Sequence, residues 1–386
     1  MTRDTCPVCE SLDVVVVFRR PNVPVNQNIV FSTAREARAA AKRDIALAHC
    51  GSCDFVFNAS FDESAVVYDE RYDNAQLTSP TYAEYIDNLV RYLIEDRNLR
   101  HARIIEVGCG KGEFLRRLVE YHGSGVTGLG FDPSYTGPRS DFDGRLIIDK
   151  MNFGPAVEHL KADALLCRHV IEHIADPRAF LRSIAKAVAD LPGVQFFLET
   201  PSIDWILENA AFWDIFYEHC NYWCARAMRR LFASAGLKVD AVRTIWRDQF
   251  LWVEGHEEGA LLGEYAEPRS DLRARLAAFA HQESMRRKDM GDDMARRSGR
   301  VALWGASAKG VTLANLLDPA EEMIACLVDI NPKKQSKFIA GSGHPIVAPK
   351  DLPDSIERIY VMNPNYLDEC TEILASLGNA AQLTAV

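Results

Sequence analysis

Two kinds of residue pattern in this chain could do chemistry: thiols in closely spaced pairs, and a run of glycines beside carboxylates. Cys6-Pro-Val-Cys9 and Cys50-Gly-Ser-Cys53 are CxxC knuckles, each able to aim two thiolates at one tetrahedral ion. Cys6, Cys9, Cys50 and Cys53 are therefore expected to hold a structural zinc, a closed site whose work is to fold a small domain. Further along, Ile104-Ile-Glu106-Val-Gly108-Cys-Gly110-Lys-Gly112-Glu-Phe114 joins an apolar run and an acidic residue to three alternate glycines and a helical Phe-Leu-x-x-Leu. It reads as a strand turning into a helix against a nucleoside ligand, with glycine where a Cβ would block the turn or the approach of backbone amides. The spacing is not the Gly-x-Gly-x-x-Gly of a dinucleotide site. A second carboxylate, Asp132 in Gly128-Leu-Gly-Phe-Asp132-Pro, follows Glu106 by 26 residues and ends the next apolar run. There it could accept both hydroxyls of a ribose.

The elements that must position these groups follow from periodicity. A helical period from Tyr82 to Leu99 leads into the glycine run. After it, apolar runs at Val126 to Phe131, Leu146 to Ile148, Ala164 to Cys167 and Val194 to Leu198 alternate with helical segments such as Ala179 to Ala189. That alternation is the mark of βαβ units and a parallel sheet. A charged, helix-prone stretch from about Pro268 to Arg297 reads as a solvent-facing connector, and a second α/β unit begins at Val301-Ala-Leu-Trp304.

The chain has 386 residues, enough for two or three cores, and 48% hydrophobic with 25% charged residues is ordinary for a globular enzyme. A net charge of −10 argues against a nucleic-acid binder. With no apolar run of transmembrane length and no signal-like start, a cytoplasmic location without membrane partners is expected.

The Glu-x-Gly-x-Gly-x-Gly spacing at Glu106, Gly108, Gly110 and Gly112 resembles motif I of the class I S-adenosylmethionine (SAM) methyltransferases, in which the acidic residue faces the cofactor's amino end. Asp163-Ala-Leu-Leu-Cys-Arg168-His169-Val-Ile-Glu-His173 matches the fourth-strand region of that family, which makes Arg168 and His169 cofactor contacts and sets Asp149, after the third strand, near the adenine amino group. The segment Trp213-Asp-Ile-Phe-Tyr217-Glu218-His219-Cys-Asn-Tyr222 gathers an imidazole, a carboxylate and two phenols after the fifth strand.

Three modules together resemble the sugar C-methyltransferases that act on nucleotide-linked keto-deoxysugars: the four-cysteine zinc module, the SAM domain with its Glu-His-x-x-Tyr segment, and a C-terminal Gly305-Ala-Ser307-Ala-Lys309-Gly310 turn. The resemblance implies a Rossmann-like central domain over 76–265, a zinc domain over 1–75, a connector over 266–298 and a C-terminal Rossmann-like substrate-binding domain over 299–386. It implies His219 as the base that forms an enolate, Glu218 to orient it or a substrate hydroxyl, Tyr222 or Tyr217 as donor to the enolate oxygen, and Tyr72 as the tyrosine of the N-terminal module that reaches the active site. Ser307 and Lys309 would hold the substrate's diphosphate, with Asn363 lining the same cleft. This chain departs from the family in carrying Phe216-Tyr217 where Tyr-His is common and Asn221-Tyr222 where Ser-Tyr is usual. Methylation of O or N on a sugar or other small metabolite, and a non-catalytic SAM or nucleotide scaffold, are the other readings.

Overall fold

A computed structural model describes residues 3–72, 76–154, 160–188, 193–257 and 271–386. Residue Ala189, in an expected helix, and the first part of the expected connector, 266–270, lie outside the described residues.

Among the described residues the centre is an eight-stranded sheet in the order Leu237–Ile245, Phe250–Glu257, Gln195–Pro201, Ala164–Arg168, Arg103–Val107, Thr127–Phe131, Leu146–Asp149, Ser140–Asp141. Its five inner strands run parallel, and the Phe250–Glu257 and Leu237–Ile245 hairpin closes one side antiparallel. Nearly every residue of Arg103–Val107 and Ala164–Arg168 is buried. This is expected of parallel strands covered by helices on both faces. It is the doubly wound architecture of the class I methyltransferases. Arg103–Val107 pairs with Thr127–Phe131 on one side and Ala164–Arg168 on the other, so the chain reverses direction across the sheet there. Such a switch point leaves a crevice at the carboxyl ends of the strands, where ligands bind.

A second, all-parallel sheet of five strands repeats that layout, with Val301–Trp304 central between Ile324–Val328 and Arg358–Val361. Helix Ala308–Leu317 starts directly after its first strand. The N-terminal module is an antiparallel sheet of Val14–Pro24, Lys42–Cys50 and Val56–Asn58, and its fourth strand, Asn221–Tyr222, comes from the central segment. Val30–Phe31 likewise pairs with Phe338–Ile339 of the C-terminal unit. The three sections of sequence are therefore stitched together by backbone hydrogen bonds.

The long helix Leu272–Arg296 differs from the solvent-facing connector its charge suggested. Leu272, Leu276, Phe279, Met290 and Met294 form a buried stripe along it. Glu283 on the same helix is buried against Arg20, whose guanidinium donates to Glu283 Oε1 at 2.9 Å. Arg20 Nη1 also donates to the carbonyls of Phe212 and Ile215, so both terminal nitrogens of this buried guanidinium have partners.

Candidate functional site

At the carboxyl end of Arg103–Val107 the chain turns through Gly108, Gly110 and Gly112, with φ of 69°, 57° and 75°. Those angles are disfavoured for any residue with a Cβ. Space adds a second reason at two of them. A Cβ on Gly108 would lie 2.2 Å from Val170 Cγ2, and one on Gly112 would lie 2.2 Å from Ile148 Cδ1. Gly112 then caps helix Glu113–Glu120.

This turn forms one wall of a cavity of about 630 Å³, lined also by Glu106, Phe114, Asp132, Ser134, Phe153, Arg168 and His169. Glu106 is buried, with Oε2 lacking a hydrogen-bond partner among the described residues, and burial pushes its carboxyl up to about 7. An orphaned carboxylate oxygen in a cavity wall suits a cationic amine. Asp132 Oδ2 accepts from the Gly110 N–H at 2.8 Å, and its Oδ1 accepts from the N–H and hydroxyl of Ser134, both at 2.7 Å. The carboxylate is thereby fixed at the rim of the glycine turn. Asp149 is not brought into this cavity. Arg139 takes up its carboxylate at 2.5 Å, and it borders a separate hollow with Tyr135 and Lys150.

Arg168 and His169 converge on Glu199. Arg168 Nε donates to Glu199 Oε2 at 2.6 Å, and His169 Nε2 lies 2.9 Å from Oε1. Burial alone would raise the Glu199 carboxyl, but Arg168 and His169 hold it down to about 2. For His169, burial works against the charged form, yet Glu199 and Glu172 overcome it and push the imidazole up to about 9.

A second cavity, of about 210 Å³, lies between the central and C-terminal sheets. It shares Tyr72, Gln76, His169 and His173 with the first, so the two spaces meet at those side chains. His219 lines it, with Nδ1 buried and lacking a hydrogen-bond partner among the described residues. Burial, reinforced by His173, His169 and Lys309, holds its pKa well below the usual histidine range. The imidazole is therefore neutral near pH 7, with a lone pair to accept a proton. Glu172, His173 and His219 each present a ligating atom within 4.8 Å of the others.

His173 was not picked out from sequence, although it follows His169 by four residues in the quoted motif. Its Nδ1 is 2.9 Å from the Glu218 carbonyl and 2.8 Å from the Tyr68 hydroxyl. A carbonyl can only accept, so Nδ1 carries the proton and Nε2 is the bare nitrogen. Glu172, Tyr68, Asp214 and Gln249 were also missed. Each looked like an ordinary element-boundary or loop residue until folding gathered them.

The remaining expected residues divide. Tyr72 lines both cavities, and its hydroxyl accepts from Asn28 Nδ2 at 3.4 Å. Glu218 is fully buried and faces the N-terminal module: Asn26 Nδ2, the Gln27 N–H and Asn28 Nδ2 donate to it at 3.0, 3.1 and 3.4 Å. Burial pushes it up to about 7. Tyr217 and Tyr222 line neither cavity. The Tyr217 hydroxyl accepts from the Asp62 N–H, and Tyr222 bonds back to the Phe216 backbone, so both phenols are spent on structure.

Ser307, Lys309 and Asn363 all line the second cavity. Lys309 Nζ is 2.9 Å from Asp214 and lies over the Trp205 ring at 5.0 Å, while Ser307 Oγ accepts from the buried Lys334 ammonium at 2.6 Å. Asp329 Oδ2 accepts from the Ala306 N–H at 2.9 Å, echoing the Asp132 to Gly110 contact of the central sheet.

At the far end of the N-terminal module, the sulfurs of Cys6, Cys9, Cys50 and Cys53 lie within 4.8 Å of one another, with Cys6 to Cys53 at 3.6 Å and Cys9 to Cys50 at 3.5 Å. A tetrahedral ion with metal–sulfur bonds of about 2.3 Å needs sulfurs roughly 3.8 Å apart, so the donor set and its spacing fit one.

The fold and these two joined cavities define a doubly wound class I methyltransferase domain coupled to a second Rossmann-like unit. Comparison with known families agrees: residues 77–242 match the methyltransferase domain, and residues 266–382 match the C-methyltransferase C-terminal domain. The chain thus joins those two domains in one polypeptide. It is 26% identical over 242 residues to the C-methyltransferase NovU of Streptomyces niveus, an alignment taking in 58% of this chain and 57% of that relative. A tRNA U34 carboxymethyltransferase of Campylobacter curvus is 32% identical over 114 residues, 28% of this chain and 37% of that protein. Among solved structures, CalO1, a methyltransferase in calicheamicin biosynthesis in its SAH-bound form, aligns with a TM-score of 0.35 and 17% identity over 46% of this chain and 56% of that one.

Proposed function

We propose that the protein is a SAM-dependent methyltransferase that methylates carbon of a nucleotide-linked keto-deoxysugar. The observation that carries this reading is the junction of the two cavities at Tyr72, Gln76, His169 and His173, with the neutral, unpartnered His219 on the acceptor side. Relatives described as C-methyltransferases support the choice of carbon over oxygen or nitrogen.

Glu106, the glycine turn and Asp132 would hold SAM by its amino group, its sugar and the space above the backbone. Bound there, SAM supplies an electrophilic methyl on a positively charged sulfur. The chain's own task is to make the acceptor carbon nucleophilic. His219 removes the proton from the carbon next to the keto group. Burial keeps the Tyr72 phenol protonated, raising its pKa well above the usual value, so it can donate to the developing enolate oxygen. Glu218 acts at one remove: its carboxylate ties down Asn26 to Asn28 and its carbonyl orients His173. On the C-terminal side, Lys309 and the amide-rich start of helix Ala308–Leu317 would meet the diphosphate, with Asp214 positioning the ammonium. The four-cysteine site would hold zinc in a purely structural role.

Turnover to S-adenosylhomocysteine across a panel of keto-sugar nucleotides tests the activity, with the methylated atom located by NMR. In His219→Ala, both methyl transfer and deuterium exchange next to the keto group are expected to fall by about 100-fold or more. Undiminished exchange would remove His219 as the base.

A further inference from the structure

Gln249 directly precedes strand Phe250–Glu257 and lines the acceptor cavity. Its backbone is held on both sides, its N–H donating to the Trp246 carbonyl at 3.3 Å and its carbonyl accepting from the Ser202 N–H at 3.0 Å. The residue is only 3% exposed. The two ends of a glutamine amide are nearly the same in shape, so which end faces a cavity must be argued from its partners.

Here a chain of hydrogen bonds decides it. The Asn365 backbone N–H donates to Asn363 Oδ1 at 3.0 Å. A backbone N–H has nothing to accept with, so the other end of Asn363 is its NH₂ group. That NH₂ donates to Gln249 Oε1 at 2.9 Å, and Asn365 Nδ2 approaches the same oxygen at 3.5 Å. Asn365 Nδ2 is in turn fixed as a donor by the Trp246 carbonyl at 3.3 Å. With Oε1 thus committed to the C-terminal unit, Nε2 is the remaining end. It is buried and has no hydrogen-bond partner among the described residues.

A buried NH₂ group without a partner is uncommon in a native protein and points to a ligand. Its neighbour Phe250 packs against His169 with ring centroids 4.7 Å apart, which sets this donor close to where the two cavities meet. Resting on the reading of the acceptor as a nucleotide-linked keto-sugar, we infer that Gln249 is a specificity-determining residue. It presents a fixed N–H donor to an oxygen of the acceptor and rejects molecules carrying an N–H at that position. The selectivity comes from Asn363 and Asn365 as much as from Gln249, because they deny the amide its alternative orientation.

The test titrates a thymidine-diphosphate-linked 4-keto-6-deoxyhexose into protein saturated with S-adenosylhomocysteine, by calorimetry. Gln249→Leu removes the donor, and Gln249→Glu replaces it with an acceptor. Asn363→Asp removes the donor that holds Oε1, freeing the Gln249 amide to turn and offer the wrong end. The dissociation constant is expected to rise about 10-fold in Gln249→Leu and on the order of 10- to 100-fold in the other two, with S-adenosylhomocysteine affinity unchanged. Wild-type binding matched within about twofold by the variants would overturn the role of Gln249 alone. No binding by the wild type of this sugar or of any other in the panel of keto-sugar nucleotides would remove the nucleotide-sugar reading and this inference with it. A variant that loses S-adenosylhomocysteine affinity has been disrupted as a whole, and the other two then decide.

Discussion

At Gly108 two separate demands fall on one residue: a left-handed φ of 69° and room for Val170, whose Cγ2 sits where a Cβ would go. Gly108→Ala is expected to cost about 1–3 kcal/mol of backbone strain at the cofactor wall, besides the clash. Calorimetry should show S-adenosylhomocysteine affinity falling by tenfold or more. Adding Val170→Ala relieves the clash but not the angle, so recovery should be partial; complete recovery would mean that φ matters little there. The glycine turn and Asp132 were legible in sequence because each is a local requirement, a turn or a strand end that a single stretch of residues can express. His173 and Gln249 were not, since their roles depend on groups distant in sequence: Glu218 and Tyr68 for one, Asn363 and Asn365 for the other. Tyr217 and Tyr222 failed in the opposite direction. Their sequence neighbourhood suggested the cleft, but a half-extended segment cannot aim every side chain the same way, and backbone groups claimed both hydroxyls.

At the scale of elements, helix Leu272–Arg296 deserves a different description from that of a tether. Its composition is strongly charged, and its apolar residues recur too sparsely to announce a packed face, yet the stripe from Leu272 to Met294 is buried. What the periodicity could not reveal is that one position of the stripe, Glu283, is itself charged and matched by Arg20 from another module. Glu283→Leu leaves the Arg20 guanidinium buried beside two carbonyls without its counter-charge, and should destabilise the fold by about 3–5 kcal/mol. The Arg20→Leu/Glu283→Leu double variant should be destabilised less than Glu283→Leu, because neither charge is then stranded. Urea unfolding monitored by circular dichroism distinguishes the cases; a double variant worse than the single would show that the pair contributes through geometry rather than charge balance.

For the molecule as a whole, the wall between the cavities sets a pH window. His169 is raised from 6.5 to about 9, so its contribution to stability is complete below about 6.5 and is lost as pH rises through 9. Glu199 is lowered from 4.5 to about 2, so its contribution is present above about 4.5 and is lost as pH falls through 2. The melting temperature of wild type over His169→Gln should therefore differ most between about pH 4.5 and 6.5 and converge near pH 9. A difference that stays constant to pH 9 would argue against a charged His169. Much of the molecule's plan was readable: alternating apolar runs marked the five parallel strands of the central sheet, since buried parallel strands advertise themselves. The interlocking of the units was not, because two-residue strands such as Asn221–Tyr222 and Val30–Phe31 carry no periodic signal at all.

That short pairing of Asn221–Tyr222 with Val56–Asn58 also bears on how the protein is made. The first three strands of the N-terminal sheet leave the ribosome early, but the edge they present is completed only when a strand about 160 residues further along arrives. Until then the cysteine module has an open sheet edge in the nascent chain, exposed to pairing with a neighbour. Zinc held as proposed by the four cysteines would tie the two knuckles together during that interval, so metal supply during synthesis should raise the yield of folded protein.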